Sequence, residues 1–259
     1  MTQAAVHKQH AIDLHTRQAG DFDNRYQDLA TDPYASTFTY GRKKIEELID
    51  RELATFPRGT RALDVGCGTG FNVKRLGERG FVVNGIEPAE GMRKRAQANN
   101  PGVDIQDGDI EALPFASGTF DLIISIEVIR YLDNPVKGLA DVARCLKPGG
   151  TAIITAAPLL SLNGYALINM LTSRVQVPTL TKVKHSFLTC HSAKRVMSEA
   201  GFAHCDVHGV FLGPWHALGR VSPRALRATL RACETVESLL ADRWLLRDLS
   251  NHLVLVARR

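Results

Sequence analysis

The chain has 259 residues, of which 44% are apolar and 23% are charged. This composition is that of an ordinary globular protein and excludes a disordered or fibrous chain. Its length has room for one large domain or two small ones. The longest uncharged run, residues 148–173, is broken by Pro158, so we expect no membrane-spanning helix. The N-terminus lacks the apolar segment of a secretory signal.

The five cysteines are an odd number at scattered positions, without a CxxC pair. A disulfide framework and a metal site are therefore both unexpected, and the cytoplasm is the expected compartment. The net charge of +5 is unevenly distributed, because no acidic residue lies between Asp141 and Glu199 whereas seven lysines and arginines do. This stretch is either a solvated basic face or a local positive potential that favours an anionic ligand or surface.

The first 40 residues are polar with dispersed aromatics, and residues 41–56 carry apolar side chains at helical spacing. We therefore predict a helical N-terminal extension over residues 1–56. From residue 61 onward, short apolar runs alternate with amphipathic segments. The predicted strands are ALDV (62–65), FVVNGIE (81–87), VDIQ (103–106), FDLIISI (120–126), TAIITAA (151–157), CDVHGVFLG (205–213) and NHLVLVARR (251–259), and the predicted helices are residues 72–79, 89–99, 135–146 and 192–200. Such alternation is typical of a doubly wound α/β fold, here with a seven-stranded, mostly parallel, Rossmann-like sheet.

Two segments interrupt this alternation. Residues 158–188 are apolar and then basic without a clean period, and residues 214–249 are mostly helical, with Leu226, Leu230 and Leu239 on one stripe. We expect a single α/β domain over residues 57–259, in which both insertions form a helical lid.

A glycine-rich turn, LDVGCGTG (63–70), joins the first predicted strand to the first helix of the domain. Glycines permit positive φ angles and a close approach of the backbone to a ligand, although a tight strand–helix turn would use the same residues. A dinucleotide-binding turn would need glycine at position 71, which is Phe71, and no phosphate-loop lysine follows. The turn therefore predicts a ligand without a pyrophosphate.

Carboxylates follow the next two strands. Glu87 ends the second strand, 21 residues after Gly66, where it can accept hydrogen bonds from both hydroxyls of a ribose. Nicotinamide cofactors are held in the same way, so Glu87 does not distinguish between cofactors. Asp109 and Ile110 follow the third strand, where a carboxylate and a backbone N–H can bind the edge of an adenine. Each acid alone would suit a helix cap or a surface, but their order at successive strand ends predicts a nucleoside ligand.

Five segments in register resemble the motifs of the class I methyltransferases that use S-adenosylmethionine, of the type that acts on small molecules. LDVGCGTG is similar to the family's first motif, GIEP to its acidic second-strand end, and DGDIEALPF to its adenine-contacting loop. FDLIISIEVIRYL resembles the fourth strand with its outgoing turn, and RCLKPGGTAIIT the helix, turn and fifth strand that follow. The resemblance covers residues 60–156 closely, and 189–211 and 251–258 loosely. It implies the fold and the cofactor, with S-adenosylhomocysteine as product, but not the methyl acceptor.

The resemblance also implies roles for individual residues. The methionine part of the cofactor would be bound by Asp64, Gly66, Cys67, Gly68, Gly70 and Ile126, the ribose by Glu87, and the adenine by Pro88, Met92, Asp109 and Ile110. Tyr26, Tyr40 and Arg42 match a family tendency for N-terminal aromatic and basic residues to close over the cofactor. Arg42 would pair with the methionine carboxylate, and a helix-surface arginine is the alternative interpretation.

Methyl transfer from a sulfonium needs alignment above all, and a general base only where the acceptor carries a proton of high pKa. No NPPY-like tetrad follows the fourth strand, which argues against methylation of adenine amino or glutamine amide groups. The catalytic residue is unknown, with Tyr131, His185 and His191 as candidates, and exposed loop histidines are the alternative for the last two. The candidates for acceptor binding are Glu127, Arg130, Lys182, Lys184 and Trp215. His7, His10 and His15 are expected at the surface, and no metal site is expected.

Three functions compete. The leading hypothesis is methylation of a small molecule with an apolar body and an anionic group, by in-line displacement, under a cap formed by residues 158–188 and 214–249. RNA methylation would use the same cap as a phosphate-binding surface, but no RNA-binding module is appended, so a nucleic-acid partner is not expected. A non-catalytic protein that binds S-adenosylmethionine as a sensor is the third. The chain is expected to be a monomer or a homodimer.

Overall fold

The computed structural model of the chain describes residues 3–174 and 185–259, with side chains for 8–171 and 185–259. Its strands are β1 (Arg61–Val65), β2 (Val82–Ile86), β3 (Asp104–Gln106), β4 (Phe120–Ser125), β5 (Leu146–Ala156), β6 (His204–Leu212) and β7 (Ser250–Arg258). They form one seven-stranded sheet in the order β3-β2-β1-β4-β5-β7-β6. Strands β1 to β5 pair in parallel, and β7 runs antiparallel to both β5 and β6. This confirms the doubly wound, mostly parallel fold predicted from the sequence.

Helices cover both faces of the sheet, which is why the central strands are mostly apolar and buried. Their bounds are α1 (Gln3–Thr31), α2 (Thr37–Leu53), α3 (Phe71–Glu78), α4 (Glu90–Asn99), α5 (Pro135–Cys145), α6 (Tyr165–Arg174), α7 (Cys190–Glu199), α8 (His216–Val221) and α9 (Pro223–Leu240). Helices α5 and α7 pack on one face of the sheet, and α2 and α3 pack on the other. The core therefore consists of two apolar layers with the sheet between them.

Helix α1 has 29 residues. Because these residues are mostly polar, no apolar periodicity in the sequence indicated its length. It lies against α4, and an ion pair of 2.7 Å joins Arg95 to Asp23. Helix α2 begins at Thr37 rather than near residue 41, because Ser36 caps it: the Ser36 hydroxyl accepts from the Thr39 N–H at 3.1 Å, and the Thr39 hydroxyl accepts from the Ser36 N–H at 3.0 Å. The N-terminal extension is thus two helices.

The chain reverses its direction across the sheet between β1 and β4, which are neighbours. Folds of this kind place their ligands at such a point, at the carboxyl ends of the strands. The two insertions follow β5 and β6 at this same edge and supply α6, α8 and α9. Within residues 3–174 and 185–259, none of the helices combines the length and the apolar character needed to cross a membrane.

Candidate active site

A cavity of about 1370 Å³ lies at the carboxyl edge of the sheet. Its walls come from α1, the turns after β1, β2 and β4, the segment after β5, helix α8 and the start of β7. Pockets for one drug-sized ligand measure about 300–1,000 Å³, so this cavity has room for two reactants side by side.

The three glycines of the turn after β1 all have positive φ angles, but they do different things. A Cβ atom on Gly66 would lie 2.3 Å from a methyl of Val128, and one on Gly70 would lie 2.2 Å from the Asn100 amide nitrogen. A Cβ atom on Gly68 would meet nothing within 4 Å, because this residue borders the open cavity. Gly68 therefore leaves space for a ligand, whereas Gly70 lets the turn pack against α4.

Glu87 ties this turn to the end of β2. One carboxylate oxygen accepts from the backbone N–H of Gly68 and the other from that of Ala89, each at 2.8 Å. Burial raises the pKa of Glu87, and the two N–H donors lower it. Each oxygen can accept a further hydrogen bond. The carboxylate lines the cavity, so it can accept from two adjacent hydroxyls of a ligand.

Asp109 lies past β3 and contacts the N-terminal helix. One carboxylate oxygen forms an ion pair with Lys8 of α1, and the other accepts from the Glu111 N–H at 2.9 Å. Lys8 also pairs with Glu111 at 2.6 Å. Helix α1 therefore covers the end of β3 and closes this side of the cavity.

Asp64 is a buried carboxylate with an unsatisfied hydrogen-bond acceptor. One of its oxygens has no hydrogen-bond partner among the described residues, and the side chain lines the cavity. Burial raises the pKa of Asp64 to about 7, while the nearby Arg42 guanidinium lowers it and the Glu87 charge raises it. Such an acid fits a ligand that brings an ammonium group or an N–H donor.

Arg42 lies between a carboxylate and two aromatic rings. It pairs with Glu46 at 2.6 Å, and its guanidinium carbon is 5.6 Å from the ring centres of both Tyr26 and Phe71. These two rings stack on each other at 4.4 Å. Ion pairing and stacking hold the guanidinium at the cavity wall.

The turn after β4 forms the opposite wall. Glu127 has a φ of +64°, a strained value for a residue with a side chain. Its carboxylate pairs with Arg130, accepts from the Thr155 hydroxyl at 3.1 Å, and lies 3.3 Å from His252 Nδ1. Burial opposes ionisation, but Arg130 and His252 hold the pKa of Glu127 far below its ordinary value. The Nε of Arg130 has no hydrogen-bond partner among the described residues.

Two tyrosine–histidine pairs meet beside Arg130. The Tyr165 hydroxyl lies 2.6 Å from His185 Nδ1, and the Tyr131 hydroxyl lies 3.4 Å from His15 Nε2. The Tyr131 ring is edge-on to both histidines, at 5.2 and 5.1 Å. Burial, aided by Arg130, lowers the pKa of His185 to about 4, so this imidazole is neutral near pH 7. These residues form an aromatic wall that carries hydrogen-bonding groups.

Comparison with known proteins identifies the domain. A family model described as "Methyltransferase domain" matches residues 63–154. The bifunctional biotin biosynthesis protein BioHC of Cellvibrio japonicus is 40% identical over 110 residues, which are 42% of this chain and 22% of that protein. The demethylmenaquinone methyltransferase of Renibacterium salmoninarum is 35% identical over 37% of this chain and 40% of its own length. The alignments thus span less than two thirds of either relative.

Other likenesses cover more of the chain. The ubiquinone biosynthesis O-methyltransferase of Dinoroseobacter shibae is 27% identical over 65% of this chain and 70% of its own length. The structure of a S-adenosylmethionine-dependent methyltransferase from Thermotoga maritima superposes with a TM-score of 0.60 at 17% identity, over 94% of this chain and 97% of that one. The chain carries a class I S-adenosylmethionine-dependent methyltransferase domain. S-adenosylmethionine is the cofactor of this domain.

The structure brings most of the expected cofactor residues of the methyltransferase domain to one cavity. Twelve of the fourteen line it, namely Tyr26, Arg42, Asp64, Gly66, Cys67, Gly68, Glu87, Pro88, Met92, Asp109, Ile110 and Ile126. Gly70 does not line it, because it packs against α4. Tyr40 does not line it either: its ring is buried against Phe211, and its hydroxyl donates to Glu237 of α9 at 3.0 Å.

Only some of the residues expected at the acceptor side line the cavity. Glu127, Arg130 and Tyr131 line the cavity, and His185 lies directly behind Tyr131 and Tyr165. His191 does not reach the cavity, because it is exposed at the start of α7. Trp215 packs with the cluster around Tyr40, and its indole N–H donates to the Leu212 carbonyl at 3.2 Å. Lys182 and Lys184 lie outside the described residues.

Several cavity residues of the methyltransferase domain were missed from the sequence. His15 was expected at the surface but packs against Tyr131, because α1 folds back over the site. Lys8, Tyr165 and His252 also line the cavity, each from an element far away along the chain. No local pattern marks these residues, since their place depends on how α1, α6 and β7 pack.

Proposed function

We propose that the chain transfers the methyl group of S-adenosylmethionine to a small-molecule acceptor with an apolar body and an oxygen-bearing, anionic head. The observation that carries this proposal is that one cavity joins the glycine turn and Glu87 to the turn that holds Glu127 and Arg130. The two walls are those that a methyl donor and a methyl acceptor need, and both belong to this chain.

The cofactor wall offers a protein group for each part of S-adenosylmethionine. Glu87 accepts from the ribose hydroxyls, Asp109 and the Ile110 N–H bind the adenine edge, and Gly68 leaves space beside the methionine part. Asp64, with its unpartnered buried oxygen, accepts from the amine of the methionine part. Helices α1 and α2 act as the lid on this side. When bound, the cofactor supplies a methyl group already activated on a sulfonium.

The acceptor wall orients the nucleophile. Alignment of two reactants can lower a barrier by about 7–11 kcal/mol, which is enough to make positioning the main catalytic device. Glu127 anchors Arg130, and Arg130 in turn lies over the Tyr165 ring, 5.4 Å from its centre. We propose that the Arg130 guanidinium, one of the candidates for acceptor binding named from the sequence, contacts the anionic head of the acceptor.

The remaining lining of the acceptor side, supplied by the two insertions and the strand ends next to them, has apolar and polar members. The apolar members are Ala157, Pro158, Ile168, Phe211, Pro214, Ala217 and Val221, and the polar members are Ser161, Asn163, His216, Arg220, Asn251 and His252. The apolar members support the proposal that residues 158–188 and 214–249 cap an acceptor with an apolar body. Relatives named for demethylmenaquinone methylation and for O-methylation in ubiquinone biosynthesis point the same way. We propose a phenolic ring with an apolar substituent as the acceptor class.

Calorimetry and mass spectrometry test this function. S-adenosylmethionine and S-adenosylhomocysteine should bind the protein with one site each, and NAD should not compete, because Phe71 stands where a dinucleotide turn has glycine. A catechol probe that carries an alkyl chain and a carboxylate, incubated with the protein and S-adenosylmethionine, should gain one methyl group. Absence of binding by either cofactor form would refute the function, and binding without transfer to any phenolic probe would refute the acceptor class.

A further inference from the structure

A patch of exposed leucines lies on the segment that follows β5. Leu159, Leu160, Leu162, Leu167 and Leu171 are between 42% and 61% exposed, and all lie within 13 residues of chain. We name these five residues the leucine surface. Single exposed apolar residues need no explanation, but a cluster on one short segment marks a surface that another apolar phase covers.

A second exposed apolar segment adjoins the leucine surface. Trp244 is 79% exposed and Leu245 is 66% exposed, in the turn that follows α9. The two segments meet where the N–H of Leu162 donates to the carbonyl of Leu249 at 3.1 Å. Tryptophan beside exposed leucine is the composition that proteins present to the boundary between lipid and water.

The leucine surface is continuous with the mouth of the cavity. Ile168 and Val221 both line the cavity, and both are more than half exposed. Ile168 lies on α6 between Leu167 and Leu171. An apolar molecule that leaves an apolar phase in contact with the leucine surface would therefore enter the acceptor side without crossing open water.

The charge around the leucine surface identifies the phase. Exposed arginines adjoin both exposed apolar segments: Arg220 directly precedes Val221 at the mouth of the cavity, and Arg243 directly precedes Trp244. Among the described residues, neither arginine forms an ion pair with a carboxylate. Basic residues beside apolar ones favour an anionic lipid surface, because each cation near it gains about 1 kcal/mol from the surface potential.

We propose that the leucine surface docks on an anionic lipid bilayer and that the acceptor enters the cavity from this bilayer. The docking clause stands on the exposed residues and the charge, whereas the entry clause rests on the proposed function. Docking is peripheral, with the leucines and Trp244 at the depth of the headgroups.

Vesicle sedimentation tests the docking. The protein should sediment with vesicles of phosphatidylglycerol and phosphatidylcholine, more weakly with phosphatidylcholine alone, and less at high salt. Leu160→Ser/Leu167→Ser should lower the partition to anionic vesicles by about tenfold or more, because two apolar side chains no longer enter the lipid. Val82→Ser/Val236→Ser changes two exposed apolar residues elsewhere, on β2 and on α9, and should sediment like the wild type.

The outcomes separate the two proposals. Calorimetry with S-adenosylmethionine should give the same affinity for the wild type and both variants, which shows that they are folded. Wild-type protein that binds S-adenosylmethionine but stays out of the pellet overturns the docking alone, and so does an equal loss in the control variant. Light scattering provides a further outcome. If the wild type is a dimer that binds no vesicles, and the leucine variant is a monomer, the leucine surface is a subunit interface and the docking proposal is wrong. Protein that sediments with vesicles but binds no S-adenosylmethionine supports the docking and counts against the proposed function.

Discussion

The backbone N–H of Gly68 donates to the Glu87 carboxylate across 2.8 Å, so the turn after β1 is fastened to the end of β2. The other Glu87 oxygen holds the N–H of Ala89, directly before α4. One buried side chain thus shapes two walls of the cavity and still presents lone pairs to it. Ligand binding and local structure depend on the same carboxylate.

Glu87→Gln should weaken S-adenosylmethionine and S-adenosylhomocysteine binding by about 10- to 100-fold. The neutral amide has one oxygen, so one backbone N–H loses its acceptor and the ribose loses a charged one, and hydrogen bonds to charged groups are worth about 1.5–3 kcal/mol. Calorimetry measures both affinities. Glu90→Gln, at an exposed residue paired with Lys94, is the matched control and should bind like the wild type. Unchanged affinity in Glu87→Gln would exclude Glu87 from the site.

Gly68→Val should abolish cofactor binding and leave the protein folded. Its side chain would point into open cavity, where no protein atom lies within 4 Å, and its φ of +58° costs about 1–2 kcal/mol for any residue with a Cβ atom. Gly118→Val is the control, because Gly118 also has a positive φ and open space but precedes β4 at the other edge of the sheet. Both variants should lose similar thermal stability, and only Gly68→Val should lose affinity in calorimetry. Equal affinity in the two variants would contradict the assignment of Gly68.

The common cavity of the residues in the proposed cofactor wall was predictable from local sequence and sheet geometry. Gly68, Glu87 and Asp109 each follow a strand, and parallel strands bring their carboxyl ends to one edge. Gly70 could not be separated from Gly68 in this way, since both are glycines of one turn. Only the packing of α4 shows that Gly70 faces Asn100 and not the cavity.

Helix geometry explains why Tyr40 does not line the cavity. Tyr40 and Arg42 are two residues apart in α2, and positions two apart on a helix point about 200° apart. Once the helix is known to begin at Thr37, only one of the two can face the cavity, and that one is Arg42. His15 and His252 were beyond prediction for a different reason, because they come from α1 and β7 and meet the site only in the folded chain.

Asp64→Asn should change the pH dependence of stability. The folded-state pKa of Asp64 is raised from 3.8 to about 7 by burial, so the stability it contributes is fully present below about pH 3.8 and is lost as the pH rises to about 7. Asparagine does not titrate. The free energy of unfolding of the variant, relative to that of the wild type, should therefore rise by about 1–4 kcal/mol between pH 4 and pH 8. Urea denaturation of the two proteins without cofactor, at pH 4, 5, 6, 7 and 8, measures the difference. A difference that stays constant over this range would show that Asp64 is already ionised at the lower end.

Glu127 and Arg130 should be strongly coupled. Both side chains are partly buried, at 29% and 18% exposed. Removal of one partner leaves an uncompensated charge, which costs at most the about 3–5 kcal/mol of a fully buried pair, whereas removal of both leaves none. The double variant should therefore lose less stability than the sum of the losses in Glu127→Gln and Arg130→Met.

A double-mutant cycle by urea denaturation measures this coupling, which should be about 2–3 kcal/mol. The exposed pair of Arg195 and Glu199 on α7 serves as the control cycle, with an expected coupling below about 1 kcal/mol. S-adenosylmethionine affinity should stay close to that of the wild type in all variants, because both residues lie on the acceptor wall. Additive losses would mean that Arg130 is held by the Tyr165 ring and not by Glu127. A loss of cofactor affinity in the Arg130 variant would move this guanidinium to the donor side of the cavity.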